Sequence, residues 1–245
     1  MYHATLVASV EVVDLASVDQ NVAVVEASAF NAPFDRTKPV IIRGAATTLQ
    51  RQWTTERMLE RFHGRNLKVA SDARPAANIY AMPLAEYLAY RDAPDDGIPS
   101  QYLMHGFAET DVAQELASSL AVQDAIELVN GVSFYRLYLG RQRTGSLPHN
   151  HKPAWNVLLQ GRKRWALYIG GSPEHTHELV VESFRDYPQG SQIEPWFCDE
   201  CPRLREREGI AFYEVVQEAG DTLYIPDQFL HAVLNLEPVV GLIIQ

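Results

Sequence analysis

The second half of this 245-residue chain is a succession of short β-rich runs. They are SFYRLYLG (133–140), WNVLLQ (155–160), RWALYI (164–169), AFYEVV (211–216), DTLYIP (221–226), HAVLNL (231–236) and VVGLII (239–244). Most are separated by Gly or Pro turns. Runs this short are of strand length, and several at such spacing indicate an antiparallel sandwich or barrel. The longest connection, 170–210, holds Pro173, Pro188, Pro195 and Pro202 and is expected to be a loop-rich excursion.

The first half is mixed. PVIIRG, stopped by Gly44, reads as a buried strand, and LKVASD (67–72) as a second one. Between them WTTERMLERFHG reads as a helix: Thr54 or Thr55 can cap it, Met58, Leu59 and Phe62 share a face, and Gly64 closes it. Pro83 opens another helix with Leu84, Tyr87 and Leu88 on one side, and 111–122 is a further amphipathic segment. The stretch 93–100 is a loop by composition. The expected organisation is an α/β N-terminal portion, 1–130, packed on a mainly β core, 131–245, as one structural domain overall.

Charge narrows the partners. Lys plus Arg number 21 against 31 for Asp plus Glu, a net charge of −10, so the chain lacks the basic footprint that nucleic acid requires. No window approaches a membrane-spanning run, and the N-terminus lacks a basic segment followed by an apolar one, so a cytoplasmic protein is expected. Its partner would be a small-molecule or peptide substrate; oligomeric state is not readable. The two cysteines, Cys198 and Cys201, have no second pair to complete an all-cysteine zinc site and read as residues of a surface insertion.

Of eight histidines, four form H-x-H pairs. His175 and His177 sit in the polar segment SPEHTHEL, with no strand signal. His149 and His151 follow a Thr-Gly-Ser turn and precede two strong strands, and in a strand residues i and i+2 share a face. His231 begins a strand after the IPDQF turn. Three imidazoles converging inside a barrel suit Zn, Fe, Cu or Ni.

From Tyr135 to Gln245 the chain resembles the JmjC-type, cupin-like family of iron- and 2-oxoglutarate-dependent oxygenases. LGRQRTGSLPHNH looks like the family's strand, turn and first metal-ligand segment. AWNVLLQGRKRWALY is similar to its next two strands, and EAGDTLYIPDQFLHAVLNL to its second ligand segment; GLIIQ falls where its last core strand would be. The resemblance implies a double-stranded β-helix (cupin or jelly-roll) core. It implies metal ligands at His149, His151 and His231, with Fe(II) and 2-oxoglutarate as cofactors. Lys163 would pair with the distal carboxylate of 2-oxoglutarate, and Asn156 would lie near it.

The sequence also departs from the family pattern. The usual set is two histidines and one carboxylate, but here the third position is His151; a minority of JmjC-like proteins share this H-x-H. Ile243 stands where the lysyl-hydroxylase branch carries threonine. Three readings therefore compete. The first is a 2-oxoglutarate-dependent hydroxylase with a three-histidine site. The second is a three-histidine cupin dioxygenase that does not use 2-oxoglutarate. The third is a degenerate cupin acting as a binding module. Tyr135, Tyr138, Trp155, Trp165 and Trp196 could stack on a ligand, although aromatics at alternate strand positions more often belong to the core. The acidic balance would suit a basic substrate, but no residue pattern identifies one.

Overall fold

The structure is a computed structural model that describes residues 14–18, 20–30, 34–71, 79–93, 101–107, 119–120, 135–186 and 192–245. Its core is eight strands: β6 Tyr135–Gly140, β7 Gly145–His149, β8 Ala154–Gln160, β9 Arg162–Gly170, β10 Ile210–Glu218, β11 Thr222–Ile225, β12 Leu230–Asn235 and β13 Val239–Ile244. Four of them form one sheet in the order β10-β9-β12-β7. The others, β11-β8-β13-β6, form the centre of a second, larger sheet. All of these pairings are antiparallel, as the spacing of the short runs predicts, and they form the jelly-roll core that the resemblance implies.

N-terminal strands lengthen the larger sheet at both ends. β1 Ala23–Glu26 and β2 Val40–Arg43 extend it beyond β11. β3 Asn66–Ser71, β4 Ile79–Pro83 and β5 Gln101–Phe107 extend it beyond β6, with β5 paired to β6. One hydrogen-bonded sheet thus runs through both halves of the chain.

The strands are buried on both faces, so their sequences read as near-continuous apolar runs. On β9, Lys163, Trp165 and Leu167 alternate with Arg164, Ala166 and Tyr168. The first set faces the interior beside Leu223, Ile225 and Val233. Ala166 and Tyr168 face outward, under two helices, α4 Pro173–Asp186 and α5 Ile193–Glu206. Three N-terminal helices, α1 Thr47–Gln52, α2 Thr55–Arg61 and α3 Leu84–Asp92, cover the larger sheet through Leu49, Met58 and Tyr87. The Thr54 hydroxyl caps α2 by accepting from the Arg57 amide, and Gly64 takes the left-handed turn after it (φ 71°).

Several expectations are corrected. The segment 170–210 is chiefly two 14-residue helices rather than a loop-rich excursion. Pro173 is the first residue of α4, where its missing N–H costs nothing, and Pro195 lies in the first turn of α5. Ile193, Trp196, Phe197, Cys201 and Leu204 form a buried helical stripe despite Pro202 within the helix. Cys201 is therefore fully buried, not part of a surface insertion, and its thiol lies 3.5 Å from the Glu214 carboxylate. The strands β1, β4, β5 and β7 go beyond the sequence reading. Of the helix expected at 111–122, only residues 119–120 are described, and they are not helical; the loop 94–100 and Pro188 lie outside the described residues. Among the described residues no helix is long and apolar enough to cross a membrane.

Candidate metal centre

Strand pairing builds the histidine cluster. His149 ends β7 and His231 lies near the start of β12, in register across the ladder. His151 stands just beyond β7, in the turn before β8, so the turn and not strand alternation brings it in. Ring centroids are 4.2 Å apart for His149 and His231, 4.5 Å for His151 and His231, and 5.6 Å for His149 and His151. One ring nitrogen of each lies within 4.8 Å of those of the other two. His175 and His177 lie on α4 and take no part; the three-histidine group is the sole such cluster among the described residues.

Backbone carbonyls set the tautomer of all three rings. Nδ1 of His149 lies 2.8 Å from the Leu147 carbonyl, that of His151 2.7 Å from Lys152, and that of His231 3.1 Å from Phe229. A carbonyl only accepts, so each Nδ1 carries the proton and each Nε2 the lone pair. Burial, then the neighbouring His149 and His151, hold His231 well below the usual imidazole range. Burial lowers His151 as well. Three imidazoles oriented by backbone carbonyls are a donor set that fits a first-row divalent metal.

The cluster opens into a cavity between the two sheets, lined also by Tyr102, Tyr138, Asn156, Lys163, Trp165 and Ile243. Lys163 is 2% exposed, and its Nζ lies 3.6 Å from the centroid of the Tyr138 ring, 5.4 Å from Trp165 and 5.9 Å from Tyr102. Among the described residues no carboxylate lies within ion-pair distance of it, and burial pushes its pKa well below the usual lysine value. The Tyr138 hydroxyl donates to Asn156 Oδ1 at 2.7 Å, so the Asn156 amide nitrogen remains as a donor. Trp165 Nε1 donates to Gln217, which in turn donates to the Asn156 carbonyl, fixing this wall.

All five residues singled out from the sequence, His149, His151, His231, Lys163 and Asn156, thus line one cavity. Tyr138, Trp155 and Trp165 line it too, whereas Tyr135 and Trp196 belong to hydrophobic cores. The sequence reading missed Tyr102 and Met104, which arrive on β5.

A cupin-like domain profile matches residues 26–243. The chain belongs to this cupin-like family, in its JmjC-type branch. It is 30% identical to the lysine-specific demethylase JMJ21 of Arabidopsis thaliana over 230 residues, 86% of this chain and 23% of the relative. It is 26% identical to the bifunctional arginine demethylase and lysyl-hydroxylase psr-1 of Caenorhabditis elegans over 231 residues, 86% of this chain and 56% of the relative. JmjC domain-containing protein 8 of Homo sapiens is 35% identical over 92 residues, 38% of this chain and 30% of that protein. The chain thus spans about a quarter of the first relative and a little over half of the second.

Proposed function

We propose that this chain is a non-haem iron, 2-oxoglutarate-dependent oxygenase that hydroxylates its substrate. Lys163 carries the reading: a cation buried in the cavity wall, ringed by aromatics, with no carboxylate beside it among the described residues. A buried, unpaired ammonium is costly, and a cavity that keeps one suits an anionic ligand. A dianionic 2-oxo acid matches both ends of the cavity, its oxo-acid end toward the histidines and its distal carboxylate toward Lys163.

Iron at the three imidazoles would supply the redox chemistry that couples decarboxylation of a 2-oxo acid to oxidation of a C–H bond. The chain's own residues do the rest. His149, His151 and His231 present Nε2 lone pairs, their Nδ1 protons fixed on carbonyls. Lys163 neutralises the distal carboxylate, and Asn156, its oxygen occupied by Tyr138, offers an N–H. Trp165, Ile225, Val233 and Ile243 keep water from the cavity. The test is a succinate assay on iron-loaded protein with 2-oxoglutarate and dioxygen. Succinate in molar excess over protein supports the reading; none at full iron occupancy refutes it.

The donor set favours a second reading at one point. Three neutral imidazoles leave a divalent ion its full charge, which suits a dioxygenase that binds an anionic substrate directly and does without 2-oxoglutarate. Lys163 would then pair with the substrate.

A further inference from the structure

A second cleft, of about 440 Å³, opens beside the histidine cluster. It lies between the β7–β8 turn, the β11–β12 turn and the start of α4. Asn150, on its wall, sits between His149 and His151. Gln228, also on its wall, precedes His231 by three residues and holds a left-handed conformation (φ 65°), rare for a residue with a side chain. The two turns that lead into the histidines thus also supply walls of this cleft, while the histidines themselves line the first cavity.

Among the described residues, no Lys, Arg, Asp or Glu lines the cleft. The adjacent carboxylate, Asp227, is turned to its own turn: Oδ1 accepts from the Gln228 backbone amide at 3.1 Å and from its side-chain amide at 3.2 Å. The hydroxyls are engaged too. Ser172 Oγ accepts from the His175 amide, and Thr176 Oγ1 accepts from Gly170 and donates to Ser172. Among the described residues, the Asn150 carboxamide and the His177 imidazole have no hydrogen-bond partner, though both line the cleft. Ile169 and Val180 supply apolar contact. A carboxamide donates and accepts at once, and an imidazole does either, so together they match a neutral group that does both.

Resting on the oxygenase reading, we infer that this cleft receives the substrate and takes an uncharged hydrogen-bonding group, a carboxamide or hydroxyl, next to the histidine cluster. A cationic side chain, such as the lysine- and arginine-directed relatives act on, meets no counter-charge among the described lining residues and would lose its hydration uncompensated.

The test is saturation-transfer NMR on the full chain, without metal or 2-oxoglutarate. The probes are N-acetyl-asparagine amide and N-acetyl-glutamine amide, compared with N-acetyl-lysine amide and N-acetyl-arginine amide. The neutral pair should saturate about threefold or more above the cationic pair, and Asn150→Ala and His177→Ala should each lower that signal about threefold, the worth of one hydrogen bond. Both positions are solvent-accessible, so both variants should retain the wild-type circular dichroism. Equal or stronger saturation of the lysine or arginine compound, a signal that survives either substitution, or no saturation by any probe would overturn the inference. Because the readout needs neither iron nor 2-oxoglutarate, its failure is distinct from a failed succinate assay.

Discussion

His231 faces His149 directly across the β12–β7 ladder, and their ring centroids are 4.2 Å apart. Because side chains alternate between faces, a one-residue slip would turn one ring away from the cavity. The cluster is therefore a product of register as much as of composition. His231→Ala removes the member that touches both of the others. Its metal content after dialysis should fall from stoichiometric to near zero, as read by elemental analysis; retained stoichiometric metal would show that His231 is not a ligand.

Lys163→Ala should leave metal content unchanged while weakening 2-oxoglutarate. Truncating one member of a buried charge pair costs roughly 2–5 kcal/mol, a factor of about thirty or more. The half-saturating 2-oxoglutarate concentration for succinate release is the quantity to follow. An unchanged value would separate Lys163 from the cosubstrate.

The same lysine gives the ligand-free protein a pH signature. Burial holds its folded pKa well below the ordinary lysine value. Between the folded and unfolded values the unfolded chain binds the extra proton, so stability rises with pH through that window and the penalty is complete below it. Lys163→Met, of similar length, should be more stable than wild type at neutral pH and should lose that rise. Urea midpoints measured across the alkaline range check this.

On the outer face of the smaller sheet, Arg164 and Arg205 both pair with Glu214, which also accepts from the Cys201 thiol. Arg164 and Glu214 are 4% and 1% exposed, so Glu214→Ala strands a buried guanidinium. Losing one partner of a buried pair costs about 3–5 kcal/mol, which should appear as a lower denaturation midpoint with an unchanged slope. The backbone amide of Glu214 accepts no such blame: it donates to Asn21 Oδ1 and stays paired in the variant.

The sequence made the β core legible because short, near-continuous apolar runs bounded by turns, such as AWNVLLQ and RWALYI, leave few other options. The five site residues were legible through spacing and resemblance together. The helices α4 and α5 were not, because prolines weigh heavily in a local reading although Pro173 and Pro195 fall in first turns, where helices tolerate them. β5 was missed for a different reason. It gains its place by pairing with β6 and β3, a long-range fact with no local mark, and with it came Tyr102 and Met104 on the cavity wall. The contact of Lys163 with Tyr138 is likewise a matter of packing between sheets, invisible to spacing.

The central claim is that the cavity holding Lys163 and the three histidines takes 2-oxoglutarate. Calorimetric titration of 2-oxoglutarate into iron-loaded, oxygen-free wild-type protein tests it most directly. One saturable site per chain, strongly weakened in Lys163→Ala, is the expected result. No heat of binding at full iron occupancy would contradict the claim and leave the direct-binding dioxygenase in its place.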